Sequence, residues 1–408
     1  MSHNETATVC VVGGGPAGAM LSLLLARAGI KVTLLEKHED FLRDFRGDTV
    51  HPSTLAVLDQ LGLSERFHAL PHRKISGIDL LKDGSRSEVA NFGRLKVRHP
   101  YIAMIPQWDF LDFLTGEAAR YPNFTLRMNT RFTDVLTAEG RVRGVTYRGP
   151  DGEGSIRAGL VVAADGRHSD AREALGLRAR QRGVAIDVVL FRISRRDDDP
   201  DERITVRVGG GDILGLIDRG DYWQAFVEIP KGTGIRELRA AGIEAFREQV
   251  TRLAPFLADR VGEIASMDSL NFLDVQATRL PRWHVPGALV IGDAAHCMSP
   301  VGGVGINLAI QDAVATANLL TEPLLRAQRH GTAPPTRALA AVRRRRALPA
   351  SVIQVLQDAA IRYDPATIAD RGRTSRAGSS LAQRLLGRVI GMGLRPESVR
   401  NGRILAPS

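Results

Sequence analysis

Apolar and polar positions along this chain separate short buried strands from helices. Residues 8–12 (TVCVV) form a β-branched, apolar run of strand length without a polar face, which predicts a strand covered on both sides. The run leads into Gly13-Gly14-Gly15-Pro16-Ala17-Gly18. Residues 19–28 are then a helix-length stretch of strong helix formers, closed by Gly29 at a position suited to a helix C-terminus. Residues 31–35 predict a second strand, ending on Glu36. Strand, glycine turn, helix and strand at these lengths make one complete βαβ unit.

Beyond it the pattern alternates. Helical spacing recurs at 53–61 and 109–120, the latter ending before Tyr121-Pro122. Strand-like runs at 125–129, 135–137, 142–147 and 155–158 predict a β-meander, and 160–164 (LVVAA) predicts another buried strand running into Asp165-Gly166. Residues 184–232 turn strand-rich, with turn signals at Gly209-Gly210-Gly211 and at 218–221. Buried-strand character returns at 288–291 (ALVI), and from Gly305 onward the chain is largely helical. The expected organisation is an α/β unit over 1–74, 100–183 and 276–335, with an antiparallel sheet unit inserted over 75–99 and 184–275. A helical C-terminal segment occupies 336–408, within which the polar stretch 366–381 is expected to be partly disordered.

Composition narrows the class without naming a chemistry. At about 150 residues per domain, 408 residues predict two or three domains. The 44% hydrophobic and 25% charged content excludes a disordered chain. Two cysteines, Cys10 and Cys297, exclude a disulfide scaffold and an all-cysteine zinc site, and predict a cytoplasmic protein. The apolar run at 20–26 stops at Arg27, short of the roughly 20 residues of a membrane span, and the leader MSHNETAT lacks the pattern of a secretion signal. Lys and Arg number 55 against 45 Asp and Glu, a formal charge of +10 that raises the question of an anionic partner.

The first chemical motif is Gly13-x-Gly15-x-x-Gly18 between a predicted strand and helix. The first glycine permits the tight turn, the second lets a pyrophosphate approach the backbone, and the third permits close helix–strand packing beside the N–H groups of the helix start. Glu36, 23 residues after Gly13 at the end of the second strand, offers a carboxylate to a ribose diol. The second motif is Gly292-Asp293-Ala294-Ala295-His296, followed by Pro300, Gly302, Gly303, Gly305 and Asn307. It sets one carboxylate at a strand end, where ligands of open α/β sheets bind, and backbone N–H groups at the start of a helix. No HExxH, GxSxG or Cys-x-x-Cys pattern appears, which argues against a zinc peptidase, a serine hydrolase and a disulfide reductase.

Together, GGGPAG followed by Glu36, the VVAADG segment at 161–166 and GDAAHCMSPVGGVGIN resemble the class A FAD-dependent monooxygenases, the para-hydroxybenzoate hydroxylase-like aromatic hydroxylases. The three motifs stand in family order from the start of the chain to about residue 320. The resemblance implies a Rossmann-like FAD-binding domain, an inserted substrate sheet, and NADH or NADPH as a transient co-substrate. It implies oxygen insertion into an aromatic or polycyclic small molecule through a flavin C4a-hydroperoxide. By the same resemblance, Gly13, Gly15, Pro16, Ala17 and Gly18 would meet the pyrophosphate. Glu36 would meet the adenosine ribose, with Lys37 beside it. Asp165 would contact FAD and pyridine nucleotide, and Gly292 and Asp293 the ribityl chain or the adjoining phosphate. The backbone of Gly303, Gly305, Ile306 and Asn307 would meet the flavin N1–C2=O edge, and Pro300 would line the ring. Arg46 and Gln107 match family positions against flavin and ribityl, the alternative for each being an ordinary surface side chain.

Substrate contacts are expected from the inserted sheet, with Tyr222, Trp223, Gln224 and Phe226 as candidates; an aromatic stripe of this kind also serves core packing. The halogenase pattern Trp-x-Trp-x-Ile-Pro is not met, because Trp223 and Ile229-Pro230 stand too far apart. Two rival readings are a flavin reductase or dehydrogenase acting on isoprenoid-like double bonds, and a basic nucleic-acid-binding protein on a vestigial flavin fold. The four arginines at 343–346 lie outside every flavin motif and predict a solvated helix face, with peripheral contact to an anionic surface as the alternative.

Overall fold

The computed structural model describes residues 3–42, 48–200, 203–362 and 376–400. Its first sheet is built around His3–Val12, which pairs in parallel with Val32–Leu35 on one side and Gly152–Ala163 on the other. Phe124–Arg127 and Ala288–Val290 extend the parallel set outward. Arg131–Ala138 and Arg141–Gly149 hang from Gly152–Ala163 as an antiparallel meander. Val9 through Val12 and Leu160 through Ala163 are buried, as the unbroken apolar runs require. Helices Gln107–Ala119 and Gly305–His330 both pack against the helix Pro16–Arg27, whose core-facing leucines are almost fully excluded from solvent.

One sequence expectation is corrected here. The runs at 155–158 and 160–164 are a single strand, Gly152–Ala163, with Gly159 inside it. A side chain at 159 would stand 3.2 Å from the Thr332 carbonyl and 3.3 Å from that of Thr8, so the glycine serves close approach rather than a break.

The second sheet has the strand order Asn271–Leu273, Ile186–Ser194, Tyr222–Pro230, Asp212–Asp218, Ile204–Gly209, Gly77–Lys82, Ser85–Asn91. Its pairings are antiparallel except that Ile204–Gly209 runs parallel to Gly77–Lys82. A 20-residue helix, Gly234–Leu253, covers one face and buries Val189, Phe191, Leu214, Leu216, Trp223 and Val227. Each such aliphatic side chain contributes about 1.5–3 kcal/mol of apolar burial. A three-stranded sheet of Thr49–Val50, Ile102–Met104 and Arg73–Ile75 lies between the two large sheets.

Two C-terminal helices complete the fold. Thr336–Arg362 packs along Gly305–His330, and Arg376–Met392 lies against Ser85–Asn91 and Pro52–Gln60. Of the polar stretch 366–381, residues 366–375 lie outside the described residues and 376–381 open that last helix. Among the described residues no helix is long and apolar enough to cross a membrane.

Candidate active site

The glycine turn sits where the first strand ends. A Cβ at Gly13, whose φ is +102°, would stand 2.6 Å from the Ala164 carbonyl oxygen and from Asp165 Cα, and one at Gly18 would stand 2.0 Å from the Gly13 carbonyl oxygen. Both glycines are therefore demanded by packing within the protein. At Gly15 nothing lies within 4 Å of an added Cβ, which leaves the approach to the start of Pro16–Arg27 open. That helix carries no acidic residue in its first turn, so its N–H groups and dipole face the opening uncompensated. Glu36 bends back onto the turn: Gly14 N–H donates to its Oε2 at 2.9 Å and His38 N–H to its Oε1 at 3.1 Å. Lys37, His38, Glu39, Asp40, Leu42 and Asn129 line a shallow depression beside it.

The second motif is held from behind. Gly292, with φ of 62°, turns the chain from Ala288–Val290 into the short helix Asp293–His296. Its N–H donates to Asp312 Oδ2 at 3.1 Å. The same carboxylate takes His296 Nε2 at 2.6 Å and Arg346 Nε at 3.0 Å, and all three side chains are at most 2% exposed. Burial alone would neutralise His296, but the charge and hydrogen bond of Asp312 outweigh it and lift the imidazole above its ordinary value. Arg172 adds a brace, donating to the Ala294 carbonyl at 3.1 Å. The solvated-face expectation for the arginines at 343–346 is thus corrected: Arg344 is exposed, Arg345 pairs with Glu397, and Arg346 is an interior partner of Asp312.

The glycine-rich loop that follows is fastened by remote side chains. Gln354 Nε2 donates to the Cys297 carbonyl at 2.9 Å, and Gln357 Nε2 donates to those of Ser299 at 2.9 Å and Val301 at 2.7 Å. Thr49 Oγ1 donates to the Gly303 carbonyl at 2.6 Å, and His51 Nε2 lies 2.9 Å from the same oxygen. His51 Nδ1 lies 2.8 Å from the Ile390 carbonyl, which joins the loop to Arg376–Met392. Burial pushes the fully enclosed His51 down to about 4. Asn307 is also buried, its Oδ1 accepting from Ser53 Oγ at 2.5 Å and Thr54 Oγ1 at 2.9 Å. Ile306 is buried beneath the loop, Gly305 starts the long helix with nothing within 4 Å of an added Cβ, and Pro300 is exposed.

Other candidates separate. Arg46 lies outside the described residues. Gln107 is half-buried at the start of its helix, and its backbone N–H supports the Asp48 carboxylate. Asp165 is tied up locally, accepting from the Ser169 hydroxyl and, at 3.0 Å, from Ala171 N–H, so it braces the start of the helix Asp170–Ala174, whose N-cap is Ser169. Cys297 is buried, its thiol pushed up to about 12 by desolvation, and so remains un-ionised.

The four aromatic-strand candidates divide by strand alternation. Trp223 is fully buried on the helix-covered face, with Nε1–H donating to Asp199 at 2.8 Å and its ring 6.0 Å from Phe256. It is a core residue and is removed from the substrate set. Tyr222, Gln224 and Phe226 lie on the opposite, half-exposed face. That face turns toward the other unit: Ile204 and Ile217 pack with Ile78, Ile102, Met104 and Ile390. Phe226 lies so flat across Gly215 that a Cβ there would fall 1.9 Å from the ring.

Sequence reasoning missed Asp48 and His51, both in the stretch DTVHPSTL just after Arg46. Asp48 is pushed up to about 6, mainly by burial, against the pull of Arg219, whose Nη2 stands 3.1 Å away. Arg219 comes from the turn before Tyr222–Pro230, so this pair pins the second sheet to the first unit. A charged residue and a histidine flanking a two-residue strand were the available signal.

A dinucleotide-type glycine turn with an acid at the next strand end, and a second glycine-rich loop braced by buried polar side chains, make up the candidate cofactor site. The chain belongs to the FAD binding domain family, whose profile matches residues 6–355. It is 34% identical over 319 residues to the 6-methylpretetramide 4-monooxygenase of Streptomyces rimosus, covering 78% of this chain and 76% of that protein. It is 28% identical over 371 residues to a 12-dehydrotetracycline 5-monooxygenase/anhydrotetracycline 6-monooxygenase of Streptomyces rimosus, covering 88% and 70%. The structure of the Streptomyces rimosus anhydrotetracycline hydroxylase superposes with a TM-score of 0.74 at 25% identity, over 96% of this chain and 77% of that one. The flavin-dependent brominase Bmp2, at 17% identity and a TM-score of 0.77 over 95% of this chain and 94% of that one, shares the fold. The protein is a FAD-dependent monooxygenase of the class A aromatic hydroxylase type.

The residues present fit FAD. The unobstructed Gly15 and the acid-free helix start suit a pyrophosphate, and Glu36 has carboxylate lone pairs left after its two backbone contacts.

Proposed function

We propose that this enzyme hydroxylates a polycyclic, polyketide-like phenol in the cytoplasm. The observation that carries the reading is the 34% identity to a monooxygenase named for a pretetramide, spread over 78% of the chain. The half-exposed apolar face around Phe226, Leu190, Ile217 and Val206 supports it, being broad enough in strands to seat fused rings.

In this reading 1–74, 100–183 and 276–335 hold the cofactor, and 75–99 with 184–275 hold the substrate. Gly13, Gly15, Pro16, Ala17 and Gly18 bind the pyrophosphate, Glu36 and Lys37 the adenosine side, and Gly292 and Asp293 the ribityl region. The N–H groups of Gly303, Gly305, Ile306 and Asn307 face the pyrimidine edge, where they stabilise negative charge. Gln107 and Pro300 flank the ring. The chemistry supplied by bound FAD is hydride acceptance from NAD(P)H and activation of O2. The protein's own work is to hold the substrate flat on Phe226 and to keep water from the reacting edge, for which the apolar sheet face is suited. Asp165 serves this site through backbone packing on Gly13 and its hydrogen bond from Ala171 N–H.

NAD(P)H oxidation measured against simple phenols and polycyclic phenols tests the reading. The expected product gains one oxygen by mass, with the polycyclic compounds preferred. Reversible substrate oxidation without oxygen gain would replace it with the dehydrogenase reading. Phe226→Ala is expected to raise KM about tenfold through lost apolar contact without lowering Tm, whereas Trp223→Phe lowers Tm.

A further inference from the structure

The substrate-side face of the second sheet carries one carboxyl that no role above uses. Along Tyr222–Pro230 burial alternates, and Glu228 falls in the half-exposed set with Tyr222, Gln224 and Phe226. It pairs across the ladder with Val188, which pairs in turn with Leu273, so its strand neighbours on this face are apolar. Among the described residues Glu228 has no hydrogen-bond or ion-pair partner. An unpartnered carboxyl on an apolar floor is costly unless a ligand meets it.

Its place along the strand is informative. The Tyr222 end of the strand is anchored at Asp48 through Arg219. The other end is anchored at Lys231, which donates to the Val275 carbonyl at 2.8 Å; the next residue, Gln276, accepts from Cys297 Sγ at 3.3 Å through its carbonyl. Cys297 leads directly into Pro300. The two anchors thus border the loop 297–303, through Thr49 at Gly303 and Gln276 at Cys297, and Glu228 stands toward the Lys231 end of the strand that spans them.

The charged groups around it are engaged elsewhere. Arg192, on the adjacent strand, lies over the Tyr222 ring at 5.1 Å, and Asp187 and Asp274 both pair with Lys231. Lys82 lies at the far edge of the sheet and has its own contact. Asp48, another carboxyl pushed up by burial, is held by Arg219 at the opposite end. Desolvation alone pushes Glu228 up to about 7, so near neutrality it can both take and release a proton.

We propose that Glu228 receives the ring-hydroxyl proton of the bound substrate; this rests on the reading that the substrate is a polycyclic phenol seated on this face. The substrate O–H bond breaks, the proton passes to a Glu228 carboxylate oxygen, and the electron pair left on the phenolate oxygen delocalises to the ortho and para carbons. Those carbons become the nucleophilic positions that electrophilic oxygen requires. Being half-exposed, the protonated carboxyl returns its proton to water.

The test uses the FAD-loaded enzyme and 2-hydroxyanthraquinone, whose visible spectrum changes on ionisation, at a pH below that at which the free compound ionises. Wild type is expected to bind it with the ionised spectrum. Glu228→Gln is expected to bind it with the neutral spectrum, and Glu228→Asp with a mixture. The O-methyl ether, having no proton to give, binds wild type and Glu228→Gln equally. For any polycyclic phenol that wild type turns over, kcat falls about 10²-fold in Glu228→Gln. An ionised bound spectrum in Glu228→Gln, with turnover retained, overturns the role of Glu228 and leaves the phenol reading standing. Absence of binding and turnover of every polycyclic phenol by wild type overturns the substrate reading and the inference with it.

Discussion

Two glycine-bearing turns follow parallel strands of the first sheet, and they are built on opposite plans. The turn at 13–18 is assembled mostly from a short stretch of chain: Gly18 and Glu36 close on it within one βαβ unit, and only the backbone of Ala164 and Asp165 packs on Gly13 from afar. The loop from Gly292 to Asn307 is assembled from afar. Its carbonyls and amides are fastened by Thr49 and His51, by Ser53 and Thr54, by Asp312, and by Gln354 and Gln357 of Thr336–Arg362. Two turns of similar composition can thus differ completely in what stabilises them. A local turn is protected by backbone sterics, a remote one by buried polar groups whose loss is costly.

That contrast can be broken by substitution, beginning at Gly18. Gly18→Ala forces a Cβ within 2.0 Å of the Gly13 carbonyl, so the helix must move and flavin binding should be lost outright. Gly15→Ala, in open space, should leave apo-protein Tm unchanged while weakening flavin binding. If both variants lose Tm equally, the local plan is wrong.

Arg346→Met comes next. It leaves Asp312 with His296 as its one charged partner in a dry interior, and breaking such a buried array costs about 3–5 kcal/mol by denaturant titration. A cost within about 0.5 kcal/mol, the range of ordinary surface substitutions, would mean that the C-terminal helix does not support the loop.

Acid should discriminate the two turns by a similar amount. His51 is pushed down to about 4 by burial, below its ordinary 6.5, so the unfolded chain binds a proton that the native state refuses. Its stabilisation is therefore complete above pH 6.5 and is lost as pH falls from 6.5 toward 4, by about 3 kcal/mol. Asp48 and Glu228, pushed up by burial, act with opposite sign, so the quantity to measure is the difference in stability between wild type and His51→Asn across that window. A flat difference would show that His51 is not enclosed as described.

Gln357→Ala is the mildest of these changes. It leaves the Ser299 and Val301 carbonyls without their donor, at about 1–3 kcal/mol, with reduced flavin retention on dialysis and an unchanged far-ultraviolet spectrum.

What was legible in advance follows the same division. The βαβ unit was readable because each step has a local signature: an unbroken apolar run, a glycine turn with defined steric demands, strong helix formers, and an acid at the next strand end. Trp223 was misplaced because a one-residue step along a strand reverses the face, and nothing in YWQAFVEIP says which face the helix Gly234–Leu253 will cover. The arginines at 343–346 were misjudged because their composition suggests solvent, while the carboxylate that draws Arg346 inward stands 34 residues earlier on another helix.

By itself, the sequence determined the dinucleotide turn, the order of the family motifs and the presence of a second sheet, because short-range sterics and strand or helix periodicity act within a few residues. Tertiary structure alone decided which arginine is buried, which strand face the helix Gly234–Leu253 covers and which side chains hold the loop from Gly292 to Asn307. Those outcomes depend on what two distant segments do to each other once water has been removed from between them, and no local pattern encodes that desolvation.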